Sequence, residues 1–271
     1  MDLSEKYKKL TEYLRGFGMA AVAFSGGVDS TFLLAAAKDA LGGGAAAVTV
    51  NSRVFPAREL ADAKEFCGKN GIRQIICDFD ALGVGGFSEN PVNRCYLCKK
   101  AMFAEIKKAA AENGIDIIAE GSNLDDEGDY RPGLLAVKES GIKSPLREVG
   151  FTKREIREMS KRLGLSAWDK PSRACLASRF AYGDSITAEG LARVEKAEMY
   201  LSGVGFAQLR VRVHGSIARI EVEPRDFAAL IDARGSVCDY LKSLGFSYVT
   251  MDLTGFRTGS MNEAVPPSDR G

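Results

Sequence analysis

The sequence predicts an α/β protein in which a parallel-sheet domain is followed by a smaller α+β domain. Three observations predict it. Short apolar runs alternate with segments of helical period through the first half, glycines close the helical segments, and beyond about residue 184 the period changes to two.

Leu3, Tyr7, Leu10, Tyr13 and Leu14 recur at helical spacing, and the apolar run 19–24 reads as a buried strand. Residues 28–41, rich in Ala and Leu and stopped by Gly42, read as a helix, followed by a strand over 45–50. The alternation continues with a helix over 57–69, a strand over 72–77, a helix over 99–112 and a strand over 115–119. Strands and helices alternating at this spacing imply a parallel sheet covered on both faces, because parallel strands need crossover connections. Ligands of such sheets sit at the carboxyl ends of the strands. The loops 25–30, 51–56, 78–94 and 120–131 are therefore expected to converge on one site.

A helix over 152–163 and a loop over 168–184 complete the first domain, taken as residues 1–183. The second domain, 184–264, is expected to hold a helix over 187–201 and half-buried antiparallel strands over 209–214 and 216–223, joined at His214-Gly215. One helix over 225–244 and a strand over 248–253 follow, and 265–271 read as a flexible tail.

The chain has 271 residues, 37 Lys and Arg against 36 Asp and Glu, and a net charge of +1, which excludes a broadly basic nucleic-acid binder. Residues 1–9, MDLSEKYKK, carry no apolar leader and no apolar run reaches membrane-spanning length, so the expected location is the cytoplasm. The six cysteines are too sparse for a disulfide scaffold.

Residues 25–30, SGGVDS, join a buried strand to a helix. Glycines there allow close backbone approach to an anion, and the helix N-terminus offers unpaired N–H groups and a favourable dipole. The Lys of a Walker loop and the G-x-G-x-x-G of a dinucleotide fold are both absent. SGGVDS resembles the signature of the PP-loop ATP pyrophosphatases, with their adenine nucleotide alpha-hydrolase-like fold, which cleave ATP between its α and β phosphates and adenylate a substrate oxygen. The resemblance implies that Ser25, Gly26, Gly27, Asp29 and Ser30 hold ATP and that Asp29 helps hold Mg²⁺; the adjacent acids Asp125 and Asp126, at the end of a predicted strand, are expected near the nucleotide or Mg²⁺.

Cys95 and Cys98 form a C-x-x-C, which by itself fits zinc, an iron–sulfur cluster or a redox dithiol. Cys175 lies between Arg173 and Arg179, where positive charge favours its thiolate. Cys67, Cys77 and Cys238 read as packing thiols. The segments NPVNRCYLCK (90–99), GSNLDDEGDYRPG (121–133), PSRACLASRFAYG (171–183) and DLTGFRTGSMNE (252–263) resemble the LarE family, ATP-dependent sulfurtransferases of nickel-pincer nucleotide biosynthesis.

The resemblance implies an enzyme that adenylates carboxylates of pyridinium-3,5-biscarboxylic acid mononucleotide, releasing pyrophosphate and AMP, and converts them to thiocarboxylates. Sulfur would pass through Cys175. Either that cysteine is sacrificed to dehydroalanine, or Cys95, Cys98 and Cys175 hold a [4Fe-4S] cluster carrying an extra sulfide; three such cysteines favour the cluster. It also implies sulfide or a sulfur-donor protein as partner and a homo-oligomer, up to a hexamer. The rival readings are a structural zinc site, a tRNA-thiolating PP-loop enzyme, a PP-loop amide synthetase and a non-catalytic nucleotide or metal sensor.

In the second domain Arg210 and Arg212 share one strand face, opposite Arg219, Glu221 and Glu223. They read either as a charge ladder on a solvated face or as a substrate site. In the second case Arg210, Arg212 and Arg179 would clamp phosphate or carboxylates, Arg94 and Lys99 would add phosphate contacts, and Glu198 and Glu221 would hold a divalent ion. The one histidine, His214, falls at a turn and is assigned no catalytic part.

Overall fold

The computed structural model describes residues 2–128, 132–171, 174–257 and 260. Arg173, residues 129–131 and 261–263 of the motifs above, and the tail 265–271 lie outside them. The chain forms two compact units, Met1–Ala81 with Cys95–Arg173, and Leu82–Arg94 with Ala174–Gly271.

The first unit runs α1 (Leu3–Arg15), β1 (Ala20–Ala23), α2 (Val28–Leu41), β2 (Ala45–Asn51), α3 (Ala57–Lys69), β3 (Arg73–Asp78), α4 (Arg94–Ala111), β4 (Ile118–Ala119), α5 (Pro132–Glu139), α6 (Pro145–Val149) and α7 (Lys153–Arg162). All strand pairs are parallel and the spatial order is β3-β2-β1-β4. Period-two side-chain direction sends Val22 and Ala47 to one face, with Leu14, Phe32 and Ile156 from the helices. Ala21, Ala46 and Val48 go to the other, with Phe103, Ile106 and Val137. The chain builds outward from β1 to β3, then returns to add β4 on the other side of β1. The order reverses beside β1, and the crevice at the carboxyl ends of β1 and β4 is where such sheets take ligands.

Caps explain where the helices begin. Asp2 with Glu5 and Thr152 with Glu155 form capping boxes at α1 and α7. The helix expected over 99–112 starts at Arg94 instead, because a turn in which the Arg94 amide donates to the Pro91 carbonyl (2.9 Å) leads straight into it. The C-x-x-C therefore lies in the first helical turn and not in a loop. The short helices α5 and α6 were not expected; each opens on a proline, whose fixed φ suits the first helical position.

The second unit contains α8 (Ala188–Val204), β5 (Leu209–His214), β6 (Ile217–Val222), α9 (Phe227–Asp232), α10 (Arg234–Ser243) and β7 (Tyr248–Met251). β5 and β6 form the expected antiparallel hairpin through Gly215, at φ 58°. β7 pairs parallel to β6, made possible by the helical crossover between them. The single helix expected over 225–244 is broken at Ala233 (φ −81°, ψ 1°), just before the weak helix former Gly235.

The structure divides the chain at 173/174, ahead of the boundary expected at 183, because the turn after Cys175 is bonded into α8 and β5. The second unit also claims Leu82–Arg94. Asn90, fully buried at φ 55°, donates from its amide to the Phe180 and Ala181 carbonyls (3.4 and 2.5 Å), and its own carbonyl accepts from the Gly183 amide (3.0 Å). Among the described residues no helix is long and apolar enough to cross a membrane.

Candidate functional site

β1 ends in the tight turn Ser25-Gly26-Gly27. Gly26 has φ +73°, while a Cβ built there would find 3.6 Å of room, so conformation and not space requires glycine. The Ser25 and Ser30 hydroxyls lie 3.1 Å apart, the Gly27 amide donates to Ser25 Oγ, and Ser30 Oγ donates to the Gly27 carbonyl. These bonds hold the loop open around the N-terminus of α2. That N-terminus is capped by Gly27 with no side-chain bond, which leaves its N–H groups for an anion.

Beyond β4, Gly121 lies against the same helix end: a Cβ there would stand 3.0 Å from Ser30 N and 3.1 Å from the Asp29 carbonyl carbon. Between the two loops opens a cavity of about 330 Å³, lined by Ser25 to Ser30, Glu120 to Ser122, Lys99, Asp126, Lys153 and Lys170 among others. Of the four loops expected to converge, those at 25–30 and 120–131 line it, and none of the residues 51–56 does. In the 78–94 loop, Leu82–Arg94 belongs to the other unit.

Charge in this cavity comes in pairs. Lys153 Nζ lies 2.5 Å from Asp29 Oδ2, and Lys170 Nζ lies 2.9 Å from Asp62 Oδ2 and 3.4 Å from the Gly26 carbonyl. Asp29 Oδ1 is buried and accepts no hydrogen bond among the described residues. Burial pushes the Asp29 carboxyl above the usual carboxylate range against the pull of Lys153. The buried Glu120 accepts from Ser122 N, Ser122 Oγ and Ser144 Oγ (3.0, 2.7 and 2.5 Å). Sequence reasoning missed Lys153, Lys170 and Glu120. The two lysines are separated by more than a hundred residues from the loop they meet, and no local pattern marks them.

Of the adjacent acids Asp125 and Asp126, Asp126 lines the cavity, whereas Asp125 accepts from the Lys153 amide (2.7 Å) at the N-terminus of α7. Lys99, expected to contact phosphate, lines the cavity. Arg94 does not: it is 4% exposed, donates to Asn90 Oδ1, and its guanidinium lies 5.1 Å over the Tyr182 ring. It is bonded into the second unit, so the contiguous motif 90–99 serves two units.

Cys95 and Cys98, one helical turn apart on α4, are each half-buried and belong to the first unit; Cys175 belongs to the second. None of the cysteines is in a disulfide. Among the described residues no three His, Cys, Asp or Glu side chains gather as a metal-holding group.

In the second unit Arg212 and Glu221 of the hairpin are buried and Arg210 and Arg219 half-buried, so the charges do not form a ladder on a solvated face. Arg212 is 5% and Glu221 0% exposed. Arg212 Nη2 donates to Glu221 Oε2 (2.9 Å) and Ser260 Oγ (2.8 Å), and its Nη1 to the Ser178 carbonyl (2.9 Å). Arg219 pairs with Asp252 at 2.6 Å and Glu221 at 3.3 Å. Arg179 grips Glu198 through Nε and Nη2, both at 2.9 Å. Glu198 and Glu221, expected to hold a divalent ion, are thus engaged by arginines. Arg210 lies 5.0 Å over the Phe256 ring. Burial and the nearby Arg179 charge push its guanidinium down to about 10. Burial likewise lowers His214.

No family model matches the chain. It is 38% identical over 265 residues to an uncharacterized protein of Synechocystis sp. (97% of this chain, 99% of that one). It is 38% identical over 264 residues to the pyridinium-3,5-bisthiocarboxylic acid mononucleotide synthase of Lactiplantibacillus plantarum (97% and 96%). An uncharacterized protein of Methanocaldococcus jannaschii is 28% identical over 240 residues (88% and 90%).

Proposed function

Since this chain belongs to the LarE family of sulfur-transferring enzymes, we propose that it is an ATP-dependent sulfurtransferase that makes thiocarboxylates from pyridinium-3,5-biscarboxylic acid mononucleotide. The observation that carries the ATP-dependent part is the N-terminus of α2, which has no side-chain cap bond, is wrapped by Ser25 to Ser30 and opens on a cavity with three lysines at the sheet's switch point.

A carboxylate is a poor acyl donor until its oxygen joins a good leaving group. In the proposed reaction a substrate carboxylate oxygen attacks the α-phosphorus of ATP, and the bond to the bridging oxygen breaks to release pyrophosphate. The α2 amides, Lys99, Lys153 and Lys170 offset the charge of the departing group. The Asp29 Oδ1 acceptor fits a divalent cation, and Asp29 would hold Mg²⁺, which when bound neutralises phosphate charge.

The Cys175 thiolate then attacks the acyl carbon, and AMP leaves with the bonding pair. Loss of the Cys175 Cα proton and scission of its Cβ–S bond release the thiocarboxylate and leave dehydroalanine. Arg210, half-buried with its guanidinium over the Phe256 ring, would bind the substrate's phosphate or second carboxylate. In a second reading the free thiols Cys95, Cys98 and Cys175 would together hold a [4Fe-4S] cluster that would supply the sulfide and spare Cys175, although no three such side chains gather among the described residues.

The test is Cys175→Ala with ATP and the pyridinium substrate: pyrophosphate is released and no thiocarboxylate forms. Thiocarboxylate at the wild-type rate would sink the proposal. Protein mass after turnover separates the two readings, since conversion of cysteine to dehydroalanine removes about 34 Da. Unchanged mass together with bound iron selects the cluster.

A further inference from the structure

Arg179 is the largest fully buried side chain among the described residues, and its position beside Cys175 in the sequence invites the role of anion ligand or thiolate stabiliser. Its bonds describe something else. Nε and Nη2 hold both oxygens of Glu198, and Nη1 donates to the Ala174 carbonyl (2.8 Å), the Cys175 carbonyl (3.1 Å) and Ser178 Oγ (2.9 Å). Every guanidinium nitrogen is thus bonded inside the second unit, and the charge is neutralised by Glu198.

Glu198 is itself anchored, accepting from the Val211 amide (3.0 Å), so Arg179 ties the cysteine turn to both α8 and β5. The Cys175 carbonyl also accepts from Ser178 N (3.0 Å) and Ser178 Oγ (2.8 Å). Three donors on one carbonyl fix the peptide plane, and with it the backbone at φ −56°, ψ 148° from which the thiol projects.

We propose that Arg179, braced by Glu198, is a positioning residue that aims the Cys175 thiol and binds no substrate anion. The proposal rests on the reading that Cys175 delivers the sulfur. A planar fork is required, since a lysine keeps the charge but its single nitrogen cannot span Glu198 and two carbonyls.

The test is Arg179→Lys in the full chain, with two readouts. Thiocarboxylate formation at saturating substrate falls about tenfold or more, as expected for a misplaced reacting group, while the half-saturating substrate concentration stays within about twofold. Alkylation of Cys175 by iodoacetamide, followed by peptide mass, changes in rate by about threefold or more at every pH with its pH midpoint unmoved, because the charge is kept.

Should Arg179→Lys fail to fold, Ser178→Ala removes one donor to the same carbonyl without stranding a charge. It shifts both readouts in the same direction by about two- to fivefold, the scale of one neutral hydrogen bond. A raised half-saturating concentration with wild-type alkylation overturns the proposal, because that is the signature of an anion ligand. Altered alkylation in Arg179→Lys alongside full product from Cys175→Ala overturns the sulfur-delivery reading on which the proposal rests, and identifies which of the two failed.

Discussion

Glu198 shows how a single carboxylate can be turned from one role to another by its surroundings. Burial works against its charge, but the Arg179 guanidinium and the Val211 amide outweigh burial and hold it below the usual carboxylate range. Its contribution to stability is therefore complete above the ordinary value of 4.5 and is lost as pH falls through the lower folded value. Glu198→Ala should cost about 3–5 kcal/mol at neutral pH, because a buried guanidinium loses its partner. Urea unfolding of the two proteins should show that gap narrowing as pH falls below 4.5; a gap independent of pH would mean the pair is not ionic. Nothing in the local sequence announces this pairing. The partners are nineteen residues apart, and alternating charges on β6 read equally well as a solvated ladder or a site. Which charges are buried depends on what packs over the hairpin, and that is not a local property.

At the scale of elements, the loop 25–30 was legible because strand, glycine turn and helix N-terminus are consecutive, and local sterics decide each. Its partner loop was only half legible. The strand before Glu120 and the adjacent acids were expected, yet which of Asp125 and Asp126 faces the cavity follows from how α7 docks, with Asp125 taken up by the Lys153 amide. Gly121 is the contact between the two loops. Gly121→Ala places a methyl 3.0 Å from Ser30 N and should displace the end of α2 by a few tenths of an ångström. The ATP concentration for half-maximal pyrophosphate release should rise by about tenfold with little change in melting temperature, as a small misplacement of positioning groups would produce. An unchanged ATP dependence would show that the loops do not share the nucleotide. The C-x-x-C was found readily but fell ahead of the helix expected from residue 99, because metal-type spacing and a helical turn place residues three apart equally well.

Across the whole molecule, the second unit is not a contiguous stretch. Asn90 and Ser88 lie in Leu82–Arg94 and bond to residues beyond 174, with the Ile186 amide donating to the Ser88 carbonyl at 2.8 Å. A fragment of residues 174–271 should therefore melt below the same fragment supplemented with a peptide of residues 82–94, by about 4–8 °C for each kcal/mol the peptide contributes. Equal melting temperatures would show that the insertion is dispensable. The sequence by itself determined the α/β class, the parallel order of elements, the glycine turn between β1 and α2 and the family, because these rest on periodicity, turn chemistry and ordered motifs that are local along the chain. The tertiary structure alone decided that motif 90–99 is shared between units, that Lys153 and Lys170 meet the loop 25–30, and that Arg179 braces the cysteine turn. Each of these depends on burial and on partners distant in sequence, and a buried charge takes its role from whichever group packing brings to it.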